Sequence, residues 1–307
     1  MSATREDFCR ELLDDDLACG SIDPERVAAR FVSYFGVPGR LTMPVLEALL
    51  QEADFGSVSG AHLDSMKGVH FGARGGGYEI YYRRDMWDGA KEHTVLHETY
   101  EIICETLCEQ VTGTPLRRRV CRQADRFAAA VLMQPESFSL MAESSGLNVL
   151  ALQRAYRCSY ASVTLRLAET VRNTPLMTVL YERHRDDGLD PEGWTEPPEL
   201  RATIVRRTRG FGAPNSRLLC GERGGVPVRW RCPSLGSLAD KVICTGRAEY
   251  DEDGRFAVVA TPVIWKGRLA KVVVVAVRYS HRAVLAPQMP ACGIGNPVRG
   301  LVASAPW

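Results

Sequence analysis

The chain has 307 residues, of which 45% are hydrophobic and 24% charged, and its formal net charge is +1. That length accommodates two domains with a small third module, and the composition is that of an ordinary globular protein. A near-neutral balance excludes bulk charge as an argument for nucleic-acid binding, so any such contact must rest on a local basic patch. Residues 1–7 turn acidic at once and carry no apolar h-region, so no signal peptide is expected. The apolar run at residues 272–277 is far short of a bilayer span, and no membrane association is expected. Ten cysteines without a secretion signal are expected as reduced thiols in a cytoplasmic protein rather than as a disulfide framework.

Along the chain, residues 5–17 and 24–36 read as amphipathic helices, with Asp23 as N-cap and Pro24 at the first helical position. Residues 43–53 make a third short helix. The period then changes: Val69-His70-Phe71-Gly72 and Tyr78-Glu79-Ile80-Tyr81-Tyr82 are β-type runs joined by Arg74-Gly75-Gly76-Gly77, a hairpin. Helices are expected again over 90–110 and 116–133, the latter stopped by Pro135. Residues 148–157 and 160–173 read as a helix–turn–helix pair, and 184–200 as linker. Strands are expected at 202–207, 226–231, 255–264 and 269–279, with a poorly ordered tail after Pro287. The fold class is therefore α+β: a mostly helical core with a small hairpin over 1–140, a helix-turn-helix segment over 141–175, a linker over 176–200 and a β-rich domain over 201–307.

The chemistry concentrates in His97-Glu98-Thr99-Tyr100-Glu101. His97 and Glu101 lie four positions apart, so on a helix they project from one face one turn apart. This is how an H-E-x-x-H helix presents two zinc ligands, here with glutamate in place of the second histidine. A carboxylate is a legitimate zinc ligand. Glu98, about 100 degrees round the helix, is placed as general base for an attacking water. Val95, Leu96, Tyr100, Ile103 and Leu107 supply a buried face, and His93, His97, Glu101, Cys104 and Cys108 share another stripe. His93 with His97 is a rival ligand pair, while Cys104 and Cys108 read as small apolar core residues. The second strand of the hairpin could lie beside the site and take substrate by strand addition.

Two stretches carry a family resemblance. Thr94-Val95-Leu96-His97-Glu98-Thr99-Tyr100-Glu101 resembles the motif helix of the ImmA/IrrE metallopeptidases. Ala124-Asp125-Arg126-Phe127-Ala128-Ala129-Ala130-Val131-Leu132-Met133-Gln134-Pro135 resembles their second signature, and the order of parts over roughly residues 5–175 is similar. The resemblance implies a zincin-like fold, one Zn2+ per chain, and cleavage of a helix-turn-helix repressor in a stress or mobile-element response. It also implies a third ligand four residues before the Asn/Asp of the second signature, which falls on Cys121. The implied set is His97, Glu101 and Cys121 as ligands with Glu98 as base, and Asp125 is the alternative third ligand. Thiolate, imidazole and carboxylate make a chemically sound zinc set.

In the helix pair, Ala151, Val163 and Leu167 occupy the positions where the two helices would touch. A recognition helix would expose Tyr160, Ser162, Thr164 and Arg166, with Arg154 and Arg157 near phosphates, so DNA is a further candidate partner. In the C-terminal region Cys220, Cys232 and Cys244 recur every twelve residues, with Cys292 later, but no C-x-x-C pair marks a zinc site and they read as isolated structural cysteines. By position alone this region is expected to serve sensing or interaction. The leading reading is a zinc-dependent endopeptidase cleaving a transcriptional regulator. Its rivals are an inactive peptidase-fold regulator that binds DNA or a repressor through residues 148–173, and a sensor that uses Cys121 as a thiolate switch.

Overall fold

The computed structural model describes residues 4–14, 23–74, 76–113, 121–183, 194, 198–214, 216–222 and 227–293. The chain is α+β and divides into two compact units, Met1–Phe138 with Arg154–Ser159, and Ser139–Gln153 with Tyr160–Trp307. No helix among the described residues is long and apolar enough to cross a membrane.

The first unit opens with α1 (Arg5–Asp14), α2 (Pro24–Tyr34) and α3 (Met43–Glu52). Asp23 caps α2 as the sequence suggests: its carboxylate accepts from the Glu25 N–H at 3.4 Å, and Pro24 takes the first turn. The expected continuation of α1 beyond Asp14 lies outside the described residues. The short strands are β1 (Gly56–Ala61), β2 (Gly68–Gly72) and β3 (Tyr78–Arg83), followed by α4 (Asp88–Thr112) and α5 (Cys121–Leu132). The start of α5 expected at 116 also falls outside the described residues. Phe8, Phe31 and Phe127 are buried from three different helices; Phe31 meets Phe8 and Phe127 edge-on at 6.0 and 5.5 Å, and Tyr100 of α4 meets Phe127 at 5.1 Å. This aromatic chain locks α4 against α5 and so fixes the faces they present to each other.

The hairpin is present, with β2 antiparallel to β3 in a register pairing His70 with Ile80. The third strand is new. β1 pairs with β3 in parallel, giving the order β1-β3-β2. Its sequence, Gly-Ser-Val-Ser-Gly-Ala, has no apolar alternation, which is why periodicity misses it. One consequence is a correction. β3, the second strand of the hairpin, is paired on both sides and cannot accept a substrate strand; β2 is the sheet edge on the side of α4. Pro135 also behaves differently from expectation. It does not merely stop a helix but opens the next one, α6 (Pro135–Ser144), at a first-turn position that needs no N–H donor.

The second unit holds α8 (Tyr160–Thr170), preceded by α7 (Val149–Tyr156), which is capped by Asn148 Oδ1 accepting from the Leu150 and Ala151 N–H groups. The expected helix pair is therefore present. Val163 and Leu167 are buried as anticipated, but on α7 the buried residues are Val149 and Leu152, and Ala151 is exposed. Five antiparallel strands follow: β4 (Leu176–Arg183), β5 (Leu200–Arg207), β6 (Glu249–Glu252), β7 (Phe256–Trp265) and β8 (Arg268–Arg278), in the order β5-β4-β8-β7-β6. Two short helices, α9 (Arg217–Cys220) and α10 (Leu238–Thr245), precede β6, and a 3-10 helix spans Tyr279–Cys292.

The run at 272–277 is buried throughout because both faces of β8 are covered. Val272, Val274 and Ala276 share a core with Met177, Val179 and Tyr181 of β4 and with Leu238 and Val242 of α10. On the other face Thr178 of β4 donates to the Thr164 carbonyl of α8 at 3.2 Å. The assignment of 176–200 to a linker fails at its start, since residues 176–183 form a central strand; residues 184–193 and 195–197 lie outside the described residues. Of the strand expected at 226–231, residue 226 lies outside the described residues and 227–231 form no strand. Trp230 takes a left-handed backbone (φ 68), so residues 227–231 turn, although the Trp230 N–H still donates to the Ala202 carbonyl at 2.7 Å. The tail is helical as far as Cys292, and residues 294–307 lie outside the described residues.

Candidate metal centre

α4 and α5 each present an i,i+4 pair, and the two pairs face each other. His97 Nδ1 stands 2.9 Å from Asp125 Oδ1, and Cys121 Sγ stands 3.6 Å from Glu101 Oε1. The cross-matching, first with last and last with first, is what antiparallel helices produce. His97 Nε2 then points at Glu101 Oε1, 3.6 Å away along its own helix. His97, Glu101 and Cys121 thus bring one donor atom each within 4.8 Å of one another. The three candidate ligands are assembled.

Asp125 takes a different place from the one left open for it. It lies behind His97, on the ring nitrogen turned away from Glu101 and Cys121, where a carboxylate fixes tautomer and ring orientation. His93 and the cysteines at 104 and 108 join neither group of converging donors among the described residues. Cys104 is buried, and burial pushes its thiol up to about 12, the behaviour of a core residue.

A second group was missed by sequence reading. His70, on β2, directs Nδ1 to Glu98 Oε2 at 2.7 Å and Nε2 to Glu105 Oε1 at 3.2 Å. Its donor, with those of Glu98 and Glu101, also falls within 4.8 Å. Glu98, Glu101 and Glu105 stand at i, i+3 and i+7, one stripe of α4, and Glu98 and Glu101 are only 7% and 8% exposed. The only local signal for His70 is a histidine on the strand that precedes the motif helix. Gly68 allows the approach of β2, because a Cβ there would lie 2.4 Å from Thr94 Cγ2 and 3.1 Å from Glu98 Oε1.

The carboxylates around His97 and His70 set the electrostatics of the site. Burial disfavours the charged form of the His97 ring more than any other single effect. Hydrogen bonds to Asp125 and Glu101 outweigh it and raise the imidazole to about 10. His70 behaves alike: burial opposes its charge, while hydrogen bonds to Glu105 and Glu98 raise it to about 9. Glu101 is held below its ordinary value, first by the hydrogen bond from His97. The donor chemistry of His97, Glu101 and Cys121, with Asp125 already oriented behind the histidine, fits zinc.

The helix pair meets the DNA reading less well. Thr164 and Arg166 are 0% and 1% exposed, so two of the four residues expected on the outer face of α8 are core. Tyr160 and Ser162 are half-buried, and Arg154 is exposed. Arg157, in the turn, has a left-handed backbone (φ 51), and its guanidinium is held by Asp88 at 2.8 Å and Glu92 at 3.9 Å. Arg157 staples the chain to the start of α4, a packing role. The C-terminal cysteines do not converge among the described residues; Cys220 is buried with its thiol donating to the Pro214 carbonyl at 2.8 Å.

No protein-family model and no curated protein matches the chain. Among solved structures it is similar to one titled "Mycobacterium tuberculosis transcriptional regulator", at 14% sequence identity and a TM-score of 0.54, over 92% of this chain and 84% of that one. At that identity the likeness establishes a shared α+β fold spanning nearly the whole chain.

Proposed function

We propose that the chain is a zinc-dependent endopeptidase of the kind its ImmA/IrrE resemblance implies, acting on a helix-turn-helix transcriptional regulator. The observation that carries this reading is the convergence of His97, Glu101 and Cys121 with Asp125 behind the histidine and Glu98 one residue along the same helix. A zinc ion held by those three side chains would supply the Lewis acid that polarises a peptide carbonyl. The chain's own residues do the rest. Asp125 keeps the His97 ring turned so that Nε2 is the free ligand atom, and the carboxylate of Glu98 accepts a proton from the attacking water and returns it to the leaving amine. His70 Nδ1, 2.7 Å from Glu98 Oε2, fixes that carboxylate. The β2 edge offers the backbone to which an extended substrate segment can add.

The test is co-expression with a neighbouring helix-turn-helix repressor. A shortened repressor band with the wild type, absent with Glu98→Gln at equal zinc content, supports the enzyme; an intact repressor in both, with zinc bound and the partner captured, overturns it.

A second reading has an observation of its own, the fold shared with a transcriptional regulator. On that reading the peptidase-like unit is a scaffold, and residues 148–173 bind a repressor or DNA. Because Thr164 and Arg166 are buried, DNA contacts would fall to Arg154 and the partly exposed Tyr160 and Ser162.

A further inference from the structure

We propose that His70, Glu98 and Glu101 form a second, weaker position for a divalent transition-metal ion, sharing Glu101 with the first, and that an ion bound there withdraws Glu98 from its role as base. The inference rests on the zinc reading above and adds regulation of that site by metal supply.

The two positions are built on one plan. In each, a histidine directs one ring nitrogen at a carboxylate of its donor group, His97 at Glu101 and His70 at Glu98, and gives the other to a carboxylate outside the group: Asp125 of α5 for His97 and Glu105, further along α4, for His70. A carboxylate on the second ring nitrogen of a ligating histidine is the ordinary supporting contact of a metal site. In each, three donors from two different elements lie within 4.8 Å. The carboxylate of Glu101 has two oxygens and belongs to both groups, which makes it the bridge.

Charge points the same way. Glu98, Glu101, Glu105, Asp125 and a metal-bound Cys121 thiolate carry five negative charges around the pair, more than one divalent ion offsets. The positions differ in affinity because only the first has a thiolate, and because an ion already on Glu101 repels a second. Filling therefore runs in order. The first ion completes the centre, and the second takes Glu98 Oε2 as a ligand, leaving no base for the water.

The experiment titrates metal-stripped full-length protein with Zn2+ by calorimetry, and with Co2+ while following optical absorption. Two steps are expected, one equivalent each. The thiolate-to-cobalt band from Cys121 should grow with the first equivalent only. Glu105→Gln should weaken the second step on the order of 10–100-fold and leave the first unchanged, and His70→Ala should abolish the second step alone. A wild type that takes a single equivalent overturns the proposal while the one-zinc reading stands, and so does a second step that survives His70→Ala. In either case His70 serves only to hold Glu98. Absence of any metal binding overturns both. Should His70→Ala fail to fold by circular dichroism, the wild-type stoichiometry and the Glu105→Gln titration decide the matter.

Discussion

His97 and Asp125 meet at 2.9 Å across two helices, and the contact orients one member of the candidate ligand set that the i,i+4 spacing places on α4. Without it the imidazole could rotate, and either nitrogen could face Glu101. With it, Nε2 faces Glu101 and Nδ1 is spoken for.

The first prediction follows from that contact. Asp125→Asn should lower zinc affinity on the order of 10–100-fold, since the amide no longer fixes the tautomer but fills the same volume. Calorimetry on the purified variant reads this directly. Cys121→Ser should cost more, because it removes a ligand atom itself; equal losses in the two variants would place Asp125 on the metal.

Glu98→Gln separates binding from chemistry. The amide cannot accept a proton from the attacking water, so hydrolysis should fall by at least on the order of 100-fold. Zinc at the first position should stay close to wild type, while loss of the charge-assisted contact with His70 should lower the melting temperature by a few degrees at most. Elemental analysis and the repressor co-expression assay measure the two sides, and loss of the first zinc would assign Glu98 to the primary ligand set.

The charge of Glu101 sets a pH dependence. On the zinc reading, a carboxylate ligand donates negative charge that a histidine would not, so the attacking water should be less acidic and activity should rise toward alkaline pH. Glu101→His should move the rising limb of the profile to lower pH. A rise moved to higher pH would show that position 101 is off the metal.

Gly68 tests the approach of the β2 edge to α4. Its Cβ site overlaps Thr94 Cγ2 at 2.4 Å, so Gly68→Ala must push β2 away from the helix or shift Thr94. Overpacking of this kind costs about 1–3 kcal/mol, and thermal melting should show a drop. If His70 is moved with its strand, the same variant should also weaken contacts to Glu98, read as a changed second metal step. An unchanged melting temperature would mean that the strand relaxes freely.

Two arginines distinguish packing from DNA contact. Arg166 is 1% exposed, so Arg166→Ala should destabilise the fold by about 1–3 kcal/mol. Arg154 is exposed, so Arg154→Ala should leave stability within about 0.5 kcal/mol. If the helix pair binds DNA, Arg154→Ala should reduce the salt dependence of that binding by about one phosphate contact. Salt-independent retention of DNA by the wild type would remove this surface from consideration.

What the sequence alone determined is everything that depends on neighbours along the chain. The i,i+4 spacing of His97 and Glu101, the cap at Asp23, the hairpin and the long helices all follow from local periodicity and backbone chemistry, so they were legible. Cys121 came from a counting rule attached to a resemblance, and the structure brings it to Glu101. The tertiary structure decided what comes from distant parts of the chain. His70 lies 28 and 35 residues from Glu98 and Glu105 and reaches them only because β2 packs on α4 at a glycine. β1 has no apolar alternation and exists as a strand because β3 offers it a ladder of hydrogen bonds. Thr164 and Arg166 read as surface on an isolated amphipathic helix, yet α8 packs against β4 and buries them. Hydrophobic periodicity reports which residues share a face of one element. Which element covers that face is settled only when the chain closes on itself, and in this protein that closure also places a second histidine against the motif helix.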